Sequence, residues 1–414
     1  MPDKNILFIT YFSANEPLLC SRTSPVLKEM SKLGFAYHLV TFEKRFKNSN
    51  MLFMNRNVIK EGLDSINVKW YPLRYHKSPL ILSTFYDIFV GIFYCISIVL
   101  FKRIDYIHAQ TSVGGAIALP VARLFKKKFV YDINGLLAEE YADGGIWRRN
   151  SIIFRIVNNF EKMLIFFADG IIPLSDKIAK KIINGSYIPY EKPKWNFQVI
   201  PSHVDMRRFI FNASKDADIV QKYGLEERFV LIYAGSVGTW YMLEEMLDFF
   251  KVVSGIITNS IFLILSHADK KKILRAVRKK NIASENIVVS ECLPEEMPRY
   301  FSVADAAIFF IKPVFSKEAC SPIKFGEYLA SGLPLVINKN IGDTEKIVQD
   351  NNVGVVVENF TQENYKKAVL SLRVLIDKDK NLKHRCRETA QKFLSLEMSI
   401  ERYKLLYKEA FILK

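Results

Sequence analysis

Cysteine is scarce and scattered. Cys20, Cys95, Cys292, Cys320 and Cys386 form no CxxC pair and share no zinc-site spacing with the 6 histidines, which argues against a disulfide framework or a structural metal and for a reducing cytosol. The opening "MPDKNILFITYF" starts as a strand and lacks the basic region, apolar core and small-residue cleavage site of a signal peptide. No repeat recurs inside either half. No Gly-Lys-Ser/Thr follows a glycine-rich turn, so there is no Walker loop, and no helix-turn-helix, zinc-finger or RNA-binding signature is present. Acidic residues are in deficit, 43 Asp and Glu against 59 Lys and Arg, leaving a net charge of +16. That excess calls for an acidic partner, and with no nucleic-acid motif the choice falls on an anionic membrane surface or a phosphorylated substrate.

What is present is a globular composition, 50% hydrophobic and 25% charged over 414 residues, enough for two domains. One segment stands apart. "PLILSTFYDIFVGIFYCISIVLF", residues 79–101, is apolar over about the 20 residues that span a bilayer, with Asp87 its single charge and Lys102 and Arg103 following. Because it lies between strand-like runs of an alternating pattern, it reads first as a long buried helix under a sheet; an interfacial helix and a true span are the alternatives.

Apolar runs of strand length alternate with helical ones along the whole chain. Strands are expected at 5–11, 36–42, 67–73, 106–110, 129–133, 170–174 and 197–201, then, after a polar stretch read as a linker (206–228), at 229–234, 261–266, 287–290, 306–311, 334–337 and 353–357. Two βα series of similar size imply an α/β chain of two doubly wound domains, residues 1–205 and 206–395, with a last helix at about 396–414 free to pack back on the first. Ligands of such sheets bind at the carboxyl ends of strands, so a cleft between the domains is the expected site.

The strand at 229–234 runs into Gly235-Ser236-Val237-Gly238-Thr239, a turn expected to open a helix and to offer backbone N–H groups to a phosphate; a plain tight turn explains it equally well. "SPIKFGEYLASGLPLV", residues 321–336, reads as a helix with Ser321 as N-cap, Pro322 in the first turn and Gly332 as stop. Lys324 then falls in the first turn, where the helix dipole disfavours a cation unless an anion is nearby. Glu327, one turn deeper, is either half of a surface Lys–Glu pair or a hydrogen-bond acceptor for a sugar hydroxyl. The triplet Asp216-Ala217-Asp218 has metal-binding spacing but lies in the polar stretch and is read as solvated charge. No metal site is expected.

"SPIKFGEYLASGLPLV" resembles the signature helix of glycosyltransferase family 4, the retaining GT-B enzymes. "VIPSHVDMRRF" (199–209) resembles that family's passage near the end of the first domain, and "YIHAQ" (106–110) and "VYDINGLLAEEY" (130–141) resemble its acceptor-side strands. The resemblance covers most of the chain in order and is strongest in the second half. It implies a GT-B fold, two Rossmann-like domains facing across a cleft. It also implies a donor site of Gly235, Ser236, Gly238, Thr239, Ser321, Lys324 and Glu327, with the Ser236 and Gly238 backbone groups and Lys324 on the diphosphate and Glu327 on the ribose.

Departures from the pattern are as specific. The family's Glu eight residues before the signature Glu would fall at Ala319, leaving Glu318 one place out as the candidate for the donor sugar. The basic pair usual after the first Gly of the second domain is absent from "AGSVGTWYMLEEM". The first-domain glycine-rich loop is replaced by a stretch in which Arg22 supplies charge, and the usual His after "VYDI" corresponds to Asn134. Asp132 and Asn134 are therefore candidates for sugar or acceptor, with a structural turn as the alternative. The implied enzyme transfers a sugar from a nucleotide sugar to a glycan or lipid-linked acceptor, without a metal or other cofactor, in bacterial-type surface polysaccharide synthesis. The basic runs at 126–128 and 269–280 are either plain solvated faces or, with a lipid-linked acceptor, contacts to an anionic membrane surface; the second gives a cytoplasmic protein peripheral on the inner face of the cell membrane. An epimerase on the same frame, or a catalytically silent sugar-nucleotide or membrane-binding subunit, would share these features.

Overall fold

The computed structural model describes residues 4–44, 56–188, 196–209, 211 and 214–412. The chain divides into two compact units, Met1–Pro201 with Ser399–Lys414, and Ser202–Met398. The division falls at 201/202 rather than 205/206 because Val204 is stitched into the second unit. Its N–H donates to Leu394 O at 2.8 Å, and its carbonyl accepts from Leu396 N–H at 3.0 Å.

Twelve of the thirteen expected strands are present among the described residues; the one expected at 197–201 is reduced to the two-residue Asn196–Phe197. In the first unit they are β1 (Lys4–Thr10), β2 (Phe35–Glu43), β3 (Val68–Arg74), β4 (Tyr106–Gln110), β5 (Lys128–Ile133), β6 (Gly170–Pro173) and the short β7 (Asn196–Phe197), parallel in the order β3-β2-β1-β4-β5-β6-β7. The second unit holds β8 (Phe229–Ala234), β9 (Ser260–Leu265), β10 (Ile287–Ser290), β11 (Ala306–Phe309), β12 (Leu335–Asn338) and β13 (Gly354–Val357), parallel in the order β10-β9-β8-β11-β12-β13. Strands such as "FVLIYA" and "SIFLIL" are apolar on both faces because helices cover both. Each order reverses once, between β1 and β4 and between β8 and β11. These switch points are where the loops leaving the carboxyl ends part and leave room for a ligand.

The final helix, Leu396–Ile412, returns to the first sheet. Tyr407 Oη lies 2.7 Å from His108 Nδ1 on β4, and Arg402 bonds Val199 O. A Cβ at Gly170 would press on Leu406 and Ala410 at 3.2–3.3 Å, so β6 needs a glycine to admit that helix.

Two expectations change. The polar stretch at 206–228 is not a free linker: it contains the helix Ala217–Tyr223, and Phe209 and Ile219 are buried in the core of the second unit. Residues 210, 212 and 213 of that stretch lie outside the described residues. The apolar segment does form one helix, Leu80–Phe101, but not a buried one. Only 28% of its stretch Ile81–Phe101 is buried. Cys95, Ile98 and Asp87 face inward, while Leu82, Phe85, Phe89, Phe93, Leu100 and Phe101 face out.

Candidate functional site

The two motifs of the second half meet at the switch point of the second sheet. The glycine-rich turn leaves β8. The signature helix, Ile323–Ala330, follows β11 through a 3-10 turn, Phe315–Ala319. The helix is tied to β8 by Ala234 N–H, which donates to Tyr328 Oη at 2.7 Å. Ser321 does not cap it. Pro322 occupies the N-cap position, and Ser321 Oγ instead accepts from Ser202 N–H at 3.0 Å, anchoring the "IPSHVD" passage.

Lys324 lies in the first turn, as its spacing implies, but its side chain runs inward and is 8% exposed. Nζ sits 3.6 Å from the centroid of Tyr241 and 4.3 Å from that of Tyr233, and donates to Tyr233 Oη at 3.2 Å. No carboxylate pairs with it among the described residues. Burial pushes the ammonium down to about 7, and the charge of Glu327 pulls it back only in part. Gly235 makes this seat possible. A Cβ there would collide with Lys324 Nζ, and its φ of +141° suits only glycine. Gly235→Ala is expected to dislodge the amino group and weaken nucleoside-diphosphate binding about tenfold or more. Titration calorimetry checks this, and a variant that binds within twofold of the parent counts against the seat.

The turn does not open a helix directly. Gly238 N–H donates to Tyr241 O and Tyr241 N–H to Gly238 O, closing a tight loop, and the helix Leu243–Ile256 begins after it. Gly238 N–H is therefore spent within the turn, contrary to its expected place on a phosphate. Among the described residues, the N–H groups of Ser236, Val237 and Thr239 have no acceptor, so Ser236 and Thr239 keep donors to offer. Gly238 and Thr239 line a cavity of about 450 Å³ together with Lys272, Arg275, Lys279 and Lys312. A Cβ on Gly238 would stand 3.9 Å from Lys272 Nζ. None of these four cations has a side-chain partner among the described residues. Lys272, Arg275 and Lys279 belong to the basic run at 269–280, and the fold sets them beside the turn.

The absent basic pair has a physical substitute. Trp240 and Tyr241 stand in the turn as aromatic seats for cations brought from elsewhere: Lys317 Nζ lies 3.9 Å from the Trp240 centroid, as Lys324 does on Tyr241. Glu327 is half-buried and its carboxyl accepts no hydrogen bond among the described residues. Burial raises it above its ordinary range against the charges of Arg208 and Lys324. Glu318 is half-buried in the 3-10 turn, and Ala319 is fully buried beside it. Lys317, Lys272 and Arg208 were missed because only the fold brings them here; the one sequence signal was the aromatic pair in place of the basic one.

In the first unit, Asp132 at the end of β5 is fully buried. Arg22 Nη2 reaches its Oδ1 at 3.0 Å and Tyr403 Oη its Oδ2 at 3.4 Å, while Arg22 Nη1 bonds Asn134 Oδ1. Burial raises the Asp132 carboxyl and Arg22 opposes the rise. Asp132 thus clamps three distant segments, which fits the structural alternative. Asn134 Nδ2 is buried with no acceptor and keeps a donor for a ligand. The triplet Asp216-Ala217-Asp218 is not solvated charge alone. Asp216 caps its helix, and Arg299 holds Asp216 at 2.7 Å and Asp218 at 3.0 Å.

Residues 215–393 match the family model described as glycosyl transferases group 1. That match covers the unit with the turn and the signature helix. Searched by sequence, the curated proteins give no match. Among solved structures, the chain is similar over 99% of both chains to sucrose-phosphate synthase from Thermosynechococcus elongatus, with a TM-score of 0.71 at 13% identity. It is similar to Anabaena HepE in complex with UDP-glucose, with a TM-score of 0.69 at 12% identity over 98% of this chain and 99% of that one. It also resembles WaaG, a glycosyltransferase involved in lipopolysaccharide biosynthesis, with a TM-score of 0.62 at 16% identity over 99% and 98%. The fold is GT-B.

Proposed function

We propose that this chain is a retaining glycosyltransferase that moves a sugar from a nucleotide-diphosphate sugar to a glycan or lipid-linked acceptor in bacterial-type surface polysaccharide synthesis. The observation that carries it is Lys324, a buried cation with aromatic walls and no counter-ion at the carboxyl end of β8. The diphosphate supplies the missing charge, with Lys272 and the open N–H groups of Ser236 and Thr239 beside it. Glu327, with both oxygens open, accepts from the ribose hydroxyls. As the glycosidic bond breaks, charge grows on the leaving diphosphate, and cations already fixed in place lower the barrier because nothing reorganises to meet that charge. The similar chains that carry UDP or UDP-glucose support the ligand class.

The same reading runs without a metal cofactor. The test is turnover of a panel of nucleotide-diphosphate sugars with and without alkyl glycoside acceptors. Acceptor-dependent release of nucleoside diphosphate that survives EDTA is expected. Release of free sugar at equal rates with and without acceptor points to an epimerase. Loss in EDTA with rescue by Mn²⁺ removes the metal-free mechanism, and no turnover on any pair removes the glycosyl-transfer reading.

Peripheral attachment to the cytoplasmic face of a membrane is part of the proposal, and the first unit supports it. The exposed apolar face of helix Leu80–Phe101 ends in Phe101, Lys102 and Arg103. The neighbouring helix, Thr111–Leu124, ends at the same amino edge of the sheet in exposed Leu124 and Lys126. Apolar side chains flanked by cations are the composition that binds anionic bilayers.

A further inference from the structure

Tyr11, Tyr75, His76, Tyr86, Tyr141 and Trp147 gather at the carboxyl end of the first sheet. Tyr11 directly follows β1, Tyr75 and His76 follow β3, and Tyr86 lies in the helix Leu80–Phe101; Tyr141, in the helix Leu137–Asp143, and Trp147 come after β5. In the order β3-β2-β1-β4-β5 these segments leave strands on both sides of the switch point between β1 and β4, where ligands of parallel sheets bind. The rings are held by one another. Tyr75 meets Tyr11 edge-on at 5.5 Å, Tyr86 meets His76 at 5.1 Å, and Tyr141 lies 4.6 Å from Trp147. Buried Asp87 joins the first two pairs, accepting from Tyr11 Oη at 2.7 Å and holding His76 Nδ1 at 2.6 Å. Lys44, paired with Glu16 at 2.7 Å, lies 5.3 Å from the Tyr75 centroid. Burial raises the Tyr141 hydroxyl, and Tyr75 and Lys44 are near enough to act on it as well, so both groups of rings belong to one cluster.

The polar tips of these rings are open. Among the described residues, the hydroxyls of Tyr75, Tyr86 and Tyr141 and the indole N–H of Trp147 have no hydrogen-bond partner. Tyr86 is 56% exposed and the other rings are half-buried. The Asp87 carboxylate only accepts, so His76 Nδ1 carries the proton and Nε2 presents its lone pair. Rigid rings with donors and acceptors at their edges match a sugar, whose C–H face packs on an aromatic face while its hydroxyls both donate and accept. An acyl chain in the same place would leave every tip unpaired. We propose that this end of the first unit is a carbohydrate-binding site, with Trp147 and Tyr141 as its stacking surface and Tyr75, Tyr86 and His76 Nε2 as partners for sugar hydroxyls. The choice of a glycan rests on the glycosyl-transfer reading, and it makes the acceptor one that is recognised by its sugars.

The test is binding to the full chain, with no donor present, of a panel of methyl glycosides and linear oligosaccharides of glucose, galactose, mannose and N-acetylglucosamine. Saturation-transfer NMR and tryptophan emission give the readout. At least one member is expected to bind, and Trp147→Ala and Tyr141→Ala should each weaken it about tenfold. Trp147→Phe, which keeps a face to stack on, should stay within about threefold of the parent. Tyr75→Phe, which removes one oxygen and keeps the ring, should lose about three- to tenfold. Nucleoside-diphosphate affinity, set in the other unit, should stay within about twofold throughout. A parent that binds no member up to about 10 mM, or a Trp147→Ala chain that binds as the parent does, overturns the site. Tryptophan emission that responds through Trp147 to vesicles of anionic phospholipid and to no sugar also overturns it, and assigns the rings to a membrane surface. Glycan binding by a chain that binds no nucleoside diphosphate keeps the site and overturns the glycosyl-transfer reading. Nucleoside-diphosphate binding without glycan binding overturns the site alone.

Discussion

Lys324→Ala is expected to weaken nucleoside-diphosphate binding by about 10- to 150-fold, the worth of a hydrogen bond to a charged group, while nucleoside affinity stays within about twofold. The asymmetry is the point. Nucleoside contacts lie with the base and ribose, whereas Lys324 Nζ, wedged between Tyr233 and Tyr241, has room for one role, the neutralisation of phosphate. Turnover should fall further than binding, because the leaving diphosphate gains charge in the transition state. Parallel calorimetric titrations with a nucleoside and its diphosphate give the comparison, and equal loss for both would mean that Lys324 supports the fold of the turn.

Replacing Leu82, Phe85 and Phe89 together by serine is expected to abolish binding to vesicles that contain anionic phospholipid. Each side chain is about two-thirds exposed, at 68%, 61% and 60%, so the change leaves the folded core almost untouched. Burying each in the interface contributes about 1.5–3 kcal/mol at most, so their joint loss is worth about a thousandfold or more in partitioning. Lys102, Arg103 and Lys126 add about 1 kcal/mol each near a charged surface, and about 1 M salt, with a Debye length of about 3 Å, removes that share alone. Co-sedimentation at low and high salt separates the two contributions. A triple variant that binds like the parent would place the membrane surface elsewhere or nowhere.

Much of the fold was legible because strands buried on both faces announce themselves as short apolar runs, and parallel sheets repeat them at βα spacing. Lys324 was legible for a local reason, the Pro322 and Gly332 that bound its helix. The rest depends on contacts across long stretches of chain. Ser321 looks like an N-cap until Ser202, 119 residues away, is found on its hydroxyl. Asp132 looks like a site carboxylate until Arg22 and Tyr403 close over it. The helix Leu80–Phe101 is apolar on every face, so its composition hides which face the sheet covers. Lys317 and Lys272 have no sequence neighbour that marks them, and only the packing of Trp240 and the Gly238 turn gives them a place.

The central claim, that an anion completes Lys324, is tested most directly by proton counting. In the folded chain the ammonium titrates near 7, below its ordinary value, so the unfolded chain holds more protons between about pH 7 and 10.5 and folding stability rises with pH across that window. A bound diphosphate reverses the shift and raises the pKa. At pH 8, where the free amine is mostly neutral, nucleoside-diphosphate binding should therefore take up close to one proton, visible as a calorimetric enthalpy that changes with the ionisation enthalpy of the buffer. The uptake should vanish at pH 6 and in Lys324→Ala. Binding at pH 8 with no proton uptake, or with the same uptake in the variant, would contradict the account.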